Sequence, residues 1–451
     1  MSRVIRIKKG LNLRLEGESE KIITIQDQPD TVLIDPIDFH FYTPKLLVQP
    51  GDEIKAGSPL FYFKELNSVK VCAPVSGEVV SVDRGEKRKI IGIKILADKE
   101  ISYLKFEPFD YKNSTREEII HRLCEMGLWP FFKQRPFDIV ADPSQIPKAI
   151  VVSTFDTSPL APDLDFVVHG NGPEFQASLD ILAKLTPGKV HLNFHENMTR
   201  SEVFYNAKNV TINTFSGPHP TSNPGIQIHH LDPINKGEVV WTISVPDLLC
   251  LGKSILENQF NASRVIALTG SEMLKRRYVK TFIGASLKSL LDGNITHPEN
   301  TRIISGNVLT GRQIGLQGHL GYYHYQVTAI PESSEPELLG WIAPGFNKFS
   351  MSRSYLSWLM PRKRYVLNTG LQGEKRPLVV TGEYERVFPM DIYPVQLIKA
   401  ILANDLEQME NLGAYEVAPE DFALCEFVCT SKTPVQKIIR EGLDVLKRET
   451  T

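Results

Sequence analysis

At 451 residues the chain is too long for one hydrophobic core and should divide into two to four domains. Its 42% hydrophobic and 23% charged content is that of an ordinary soluble globular protein and excludes the disordered and fibrous classes. A formal charge of -2 argues against general nucleic-acid affinity, which needs a concentrated cationic face.

The apolar runs point the same way. VVWTISVPDLLCL (residues 239–251) is interrupted by Ser, Pro and Asp and falls short of the roughly 20 residues that a spanning helix needs. MSRVIRIKKG is basic but has neither an apolar h-region nor a small-residue cleavage site, so no secretory signal is expected and the location should be cytoplasmic. The five cysteines are scattered without a C-x-x-C, which fits reduced thiols. Cys425 and Cys429 would share a helical face, either as small apolar residues in a helix interface or as a half-site completed by a neighbouring chain.

In chain order, residues 42–96 alternate short β-rich runs with Pro-Gly, Ala-Gly-Ser and Ser-Gly punctuation, the pattern of a small barrel or sandwich of hairpins. The segment resembles the biotinyl/lipoyl carrier fold, matching its two halves at Val48–Leu60 and Ala73–Gly77. It lacks the modified lysine, since the expected tip reads Glu65-Leu66-Asn67-Ser68.

A helix is expected next. Thr115 and Glu118 form a capping-box pattern, Ile119, Ile120, Leu123 and Met126 fall at helical spacing, and Gly127 is a natural stop. There follows GLWPFFKQRPFD (Gly127 to Asp138), with four aromatic rings, two prolines and two cations in twelve residues. Pro130 and Pro136 forbid a helix, and Lys133 and Arg135 beside the rings are unusual in a core. A stiffened loop able to receive something flat and apolar is therefore expected.

From about Ile146 strands alternate with helices: AIVVSTF, DFVVHGNGPEF leading into a helix, KVHLNF, NVTINTF, and EVVWTI before another helix. This argues for a parallel sheet covered by helices. HGNGPEF is a weak nucleotide loop, because Pro173 removes an N–H and Glu174 puts a negative charge where a phosphate would sit. His191 and His195 would share a strand face, as metal ligands or, on the plainer reading, as satisfied or solvent-facing histidines. The Gly- and Pro-rich run 216–225 reads as a functional loop or interdomain contact. Residues 260–332 read as a compact β-rich unit whose last run, GYYHYQVTAIPE, alternates like a half-buried strand. After Pro336 the chain should become helical again. It should end on an amphipathic helix from Thr433 and Pro434, with Val435, Ile438, Ile439, Leu443 and Leu446 on one stripe.

Together, IRIKKGLNL, the carrier-like barrel, GLWPFFKQRPFD, SGPHPTSNPGIQIHHLDP, RIISGNVLTG with GYYHYQV, GFNKFSMSRSYLSWL and EDFALCEFVC resemble the NqrA family over nearly the whole chain; its members belong to the bacterial sodium-translocating NADH:quinone reductase. The resemblance implies an α+β multidomain fold in four parts. They are an N-terminal arm with the biotinyl/lipoyl-like barrel-sandwich (1–100), a Rossmann-like α/β domain with the helix and aromatic loop (101–258), a β-grasp (SLBB-like) domain (259–332) and a C-terminal helical domain (333–451). It also implies a peripheral subunit on the cytoplasmic face of the inner membrane. Other subunits of the complex would be its partners and its only route to the membrane. It would bind no cofactor of its own, quinone would be the substrate, and NADH would be used through a different subunit.

The architecture also resembles the NADH-binding flavoprotein subunit of respiratory complex I, whose G-x-G-G-A-G-F-P-T loop approaches a flavin phosphate. Here the comparable place, residues 127–132, carries rings and a proline, and the cysteines near the C-terminus cannot reproduce an iron–sulfur motif. The expected quinone-binding residues are Trp129, Phe131, Phe132 and Phe137 as stacking surface, Lys133 and Arg135 as carbonyl-polarising cations, and Phe39 with His40 as a second cluster able to exchange protons. Two other readings stand beside this one: a scaffold that only docks the membrane subunits, and an NADH–flavin module.

Overall fold

Five short strands rich in Val, Ile and Phe lie parallel, in the order Val4–Arg6, Thr211–Ser216, Lys189–His195, Ala149–Ser153 and Val240–Thr242. The inner strands, buried on both faces, need apolar residues on both sides, which is why Ala149–Ser153 reads as a continuous hydrophobic run, whereas the outer Val4–Arg6 and Thr211–Ser216 are mostly half-buried. The computed structural model describes residues 4–26, 28–333, 345–360, 362–371 and 373–450. The sheet is extended by two antiparallel strands, Lys133–Arg135 and Ile139–Val140, which are the second half of the aromatic stretch. Helices Gly172–Leu185 and Val245–Glu257 pack on each other over one face. Gly252 makes that contact close, since a Cβ there would stand 1.9 Å from the carbonyl oxygen of Glu174.

One segment departs from the expected alternation. DFVV is the short helix Leu164–Val168 instead of a strand, because the Asp163 carboxylate caps it by accepting from the Phe166 N–H. The helix expected before the aromatic stretch is Arg116–Glu125, with the full reciprocal capping box of Thr115 and Glu118. Gly127 follows with φ +72°, a conformation that ends the helix and that a side chain adopts poorly.

A four-stranded and a three-stranded sheet make the barrel-sandwich, closed around Phe61, Phe63, Val71 and Ile93. A six-stranded sheet of the β-grasp type includes Ser263–Thr269, Arg277–Phe282, Thr301–Ser305 and Gln326–Pro331. Its outer strand, Glu20–Ile25, comes from the N-terminal arm, so the first residues of the chain join the α/β sheet and the next ones join this sheet. The strand expected from GYYHYQV begins only at Gln326. Residues 321–325 form a turn, with Tyr322 buried and the next three side chains half-buried.

Among the described residues beyond 345, the first stretch is mostly irregular, with one short turn of helix at Leu356–Leu359, and the α-helices begin only at Glu383. The start of the helical region expected after Pro336, residues 336–344, lies outside the described residues; from 345 to 382 the expected helices are missing among those described, where Pro, Gly, Ser and Asn interrupt the apolar runs. The last helix, Val435–Thr450, buries Val435, Ile438, Ile439, Leu443 and Leu446 as its periodicity requires, against the body of the protein. Cys425 lies in the helix Ala423–Val428, and Cys429 caps it and accepts from the Tyr384 hydroxyl at 2.9 Å. All five thiols are free and buried.

Candidate functional site

The strand order places a crossover at the middle of the α/β sheet. From Ala149–Ser153 the chain builds outward to one side, then returns to add Val240–Thr242 on the other. At such a switch point the loops leaving the carboxyl ends of the two strands diverge and open a crevice. A cleft of about 380 Å³ occupies it, walled by Ser153, Asp156, Thr242 and Ser244 from those ends. The 216–225 loop, the turn 323–326 and the C-terminal segment at Glu420 complete the wall, so every domain except the barrel's inner sheets contributes.

Of the residues expected from sequence, His40, Phe131, Lys133 and Arg135 line this cleft. Lys133 lays its ammonium 4.2 Å from the centroid of the Tyr323 ring. His40 is exposed at the mouth. The protein crowding around it and the positive charges of Arg440 and Lys133 lower its pKa, outweighing Asp138 and Asp444, and so favour the neutral imidazole. Arg135 is 1% exposed and meets Glu420 at 2.5 Å, Asp421 at 3.3 Å and Asp138 at 3.8 Å. A guanidinium can therefore sit in this core after all, because three carboxylates compensate it. Burial pushes the Glu420 and Asp421 carboxyls up while Arg135 pulls them down; Asp138, drawn on by Lys133, Arg135 and Arg440, is lowered overall. Glu420 keeps 37% of its side chain open, so water screens its share.

The other four residues lie away from the cleft surface. Trp129 is fully buried, stacked on Phe132 with centroids 5.1 Å apart, edge-on to Trp241 at 5.3 Å, and its indole N–H donates to the Ala141 carbonyl at 2.7 Å. Phe132 is equally buried. Phe39 belongs to the barrel core, 5.4 Å from Phe63 and 4.8 Å from Tyr322. Phe137 packs on Tyr415 and under the ammonium of Lys447. The other rings thus belong to the cores, and Phe131 alone of the five reaches the cleft wall.

Of the other wall residues, His219 lies in the loop 216–225 marked out by sequence, whereas Asp156, His324 and Asp247 were passed over. Asp156 accepts from the Tyr325 hydroxyl at 3.1 Å, His219 shares a hydrogen bond with Thr157 Oγ1 at 3.1 Å, and His324 shares one with Ser305 Oγ at 2.9 Å. Burial depresses the His219 imidazole to about 4 and the His324 imidazole to about 3, so both are neutral around pH 7. Asp247 is tied to Arg264 in a buried ion pair that joins the α/β and β-grasp units; burial pushes its carboxyl up and the Arg264 guanidinium pulls it back down. Polar residues crowded into the runs 216–225 and 321–326 were the available signal. Neither run says which other loop it faces. His191 and His195 do share a face, where His191 bonds Asn213 at 3.1 Å and His195 packs on Phe155. Among the described residues, no group of three or more His, Cys, Asp or Glu is placed to hold a metal ion.

A barrel-sandwich, a parallel α/β sheet with a cleft at its switch point, and a β-grasp sheet that shares the N-terminal arm with the α/β sheet define a class of multidomain proteins. Three family descriptions match in the same order: the NqrA N-terminal barrel-sandwich hybrid domain over residues 5–98, the NqrA second alpha/beta domain over 114–260, and the NQRA C-terminal domain over 265–315. The NqrA subunit of the Na(+)-translocating NADH-quinone reductase of Vibrio parahaemolyticus is 37% identical over 450 residues, 99% of this chain and 100% of that protein. Its counterpart in a Marinomonas strain is 34% identical over 447 residues, covering 98% and 99%. The chain belongs to this family, the NqrA subunits of the Na+-translocating NADH-quinone reductase, an oxidoreductase complex. A solved NAD+-reducing [NiFe]-hydrogenase in the air-oxidised state aligns with 77% of this chain and 68% of its own at 10% identity and a TM-score of 0.38.

Proposed function

We propose that the chain is the peripheral subunit, on the cytoplasmic face, of a membrane Na+-pumping NADH:quinone oxidoreductase, and that its central cleft receives a quinone headgroup. The observation that carries this reading is the convergence of Lys133, Arg135, His40 and Phe131 on one crevice at the sheet's switch point. Lys133 donates toward a quinone carbonyl from its seat on Tyr323, and Phe131 offers an apolar edge. Reduction of a quinone to the quinol takes up two electrons and two protons. A neutral His40 at the mouth can donate an N–H hydrogen bond to a carbonyl oxygen, while the two protons of the quinol come from water. Trp129, Phe132, Phe39 and Phe137 are buried in the surrounding cores and do not line the cleft.

The chain is further proposed to carry no redox cofactor of its own and to use NADH only through a different subunit. What supports this is the filled turn after Arg116–Glu125, where Trp129 and Phe132, both at 0% exposure, occupy the room a glycine loop would leave for a phosphate.

Isothermal titration of the full chain with a short-tailed quinone is expected to give one saturable site. Lys133→Ala and His40→Ala should each weaken it about tenfold, roughly 1.4 kcal/mol. No heat, with the fold intact, favours a second reading, a scaffold that only docks the membrane subunits; the burial of four of the five rings behind the cleft favours that reading.

A further inference from the structure

The segment from Gly345 to Gly373 holds Lys348, Arg353, Arg362, Lys363 and Arg364 and not a single Asp or Glu. The whole chain carries 53 acidic and 51 basic residues, so a carboxylate-free stretch of this length is a local charge asymmetry and not a reflection of composition. Its apolar residues divide into two sets. Tyr355 and Tyr365 are buried and Phe349 is half-buried, its ring 5.6 Å from Tyr365 and 6.0 Å from Phe427. Tyr365 also bridges to Leu15, so this set anchors the segment to the body.

The second set faces outward. Trp358 is 50% and Leu359 58% exposed, on the short helical turn Leu356–Leu359, with Phe346, Leu356 and Met360 also open. Ser357, between them, is tied inward to the Lys348 carbonyl at 2.5 Å, so the turn is held with its apolar side chains toward water. An exposed cluster of Trp, Leu, Met and Phe loses free energy to solvent and calls for a covering surface.

Beside this ridge lies a cavity of about 390 Å³. Arg14, Arg353, Lys363 and Arg386 are in its wall together with Trp358 and Met360, and among the described residues no carboxylate lines it. Arg353 sits 6.0 Å from the centroid of the Trp358 ring, and Arg386 shares its charge with Glu383 at 3.0 Å. A basic hollow next to a Trp–Leu–Met ridge matches the two chemistries of a bilayer interface. The cations suit an anionic headgroup, and the ridge suits the first few ångströms of acyl chain.

We propose that residues 346–360 and 362–366 form a membrane-surface docking element that binds anionic phospholipid directly, beyond the expected contact through other subunits: Trp358, Leu359 and Met360 dip into the interface, and Arg353, Arg362 and Lys363 meet the headgroups. No helix among the described residues is long and apolar enough to cross a membrane, so this contact is superficial. It is also separate from the central cleft, and it neither needs nor tests quinone binding.

The full chain is mixed with vesicles of phosphatidylcholine alone or of phosphatidylcholine with phosphatidylglycerol, and the bound fraction is read by co-sedimentation. Expected is binding to the anionic vesicles only, lost in high salt, and lowered at least tenfold by Trp358→Ser with Leu359→Ser and by Arg353→Glu with Arg362→Glu. The charge-reversed pair sits at exposed positions, so it keeps the test decisive if the apolar pair fails to fold. Absence of co-sedimentation, equal binding to both vesicle types, or undiminished binding by the charge-reversed protein overturns the proposal. So does binding that appears only with the other subunits present, which would assign the ridge to a protein partner.

Discussion

His219 shows how one side chain in the cleft wall ties stability to pH. It is 4% exposed and its imidazole is depressed to about 4, chiefly by burial, with Asp156 pulling weakly the other way. In the unfolded chain the group takes up a proton near pH 6.5, whereas in the folded protein it does so only near 4. Lowering the pH through that window therefore favours the unfolded state, and above it the group has no effect. The loss is about 1.4 kcal/mol per pH unit, on the order of 3 kcal/mol in all. His219→Gln should flatten the fall in stability between about pH 6.5 and 4 by close to one proton's slope, as measured by denaturant titration at several pH values. His324 and His319, depressed for the same reason, leave a residual slope of the same sign.

At the scale of elements, the aromatic stretch is decided by its entry. Arg116–Glu125 ends on Gly127, where a Cβ would stand 2.5 Å from the Cys72 sulfur of the barrel. The helix stop thus also sets how closely the barrel approaches the turn. Gly127→Ala combines a left-handed φ with overpacking and should cost about 2–4 kcal/mol. Gly237→Ala, at φ +87° but with nothing within 4 Å, should cost only about 1 kcal/mol. Comparing their denaturation midpoints separates backbone strain from the close contact. The same stretch shows where sequence reasoning reached its limit. The capping box, the glycine stop and the prolines were legible because they act within a few residues. The burial of Trp129 and Phe132 was not, because Trp241 and Ala141, their partners, are brought in by sheet pairing.

For the whole molecule, a few buried ion pairs couple the units. Arg135 reaches from the α/β sheet to Asp421, whose side chain is 0% exposed, and Arg264 reaches Asp247 from the β-grasp sheet. Removing one partner strands the other charge in the interior, which costs about 3–5 kcal/mol. Arg135→Met should loosen the C-terminal helices before the sheets, seen as faster amide hydrogen exchange at 423–428 and 435–450. Adding Asp421→Asn should recover part of the loss. Exchange that rises evenly over the chain would contradict this coupling.

The α+β architecture, the carrier-like barrel, the parallel sheet and the amphipathic last helix were readable from sequence, since periodicity, caps and turn residues act locally. So was the family, through runs spread over nearly the whole chain. Tertiary structure alone decided that the N-terminal arm contributes strands to two different sheets and that Arg135 lies buried among carboxylates, one three residues away and two from near the C-terminus. It also decided that the cleft is walled by residues from 38 to 436. The physical reason is range: a cap or a stripe is settled by neighbours three or four residues away, whereas burial and charge compensation depend on partners hundreds of residues distant, which only the packing of sheets brings into contact.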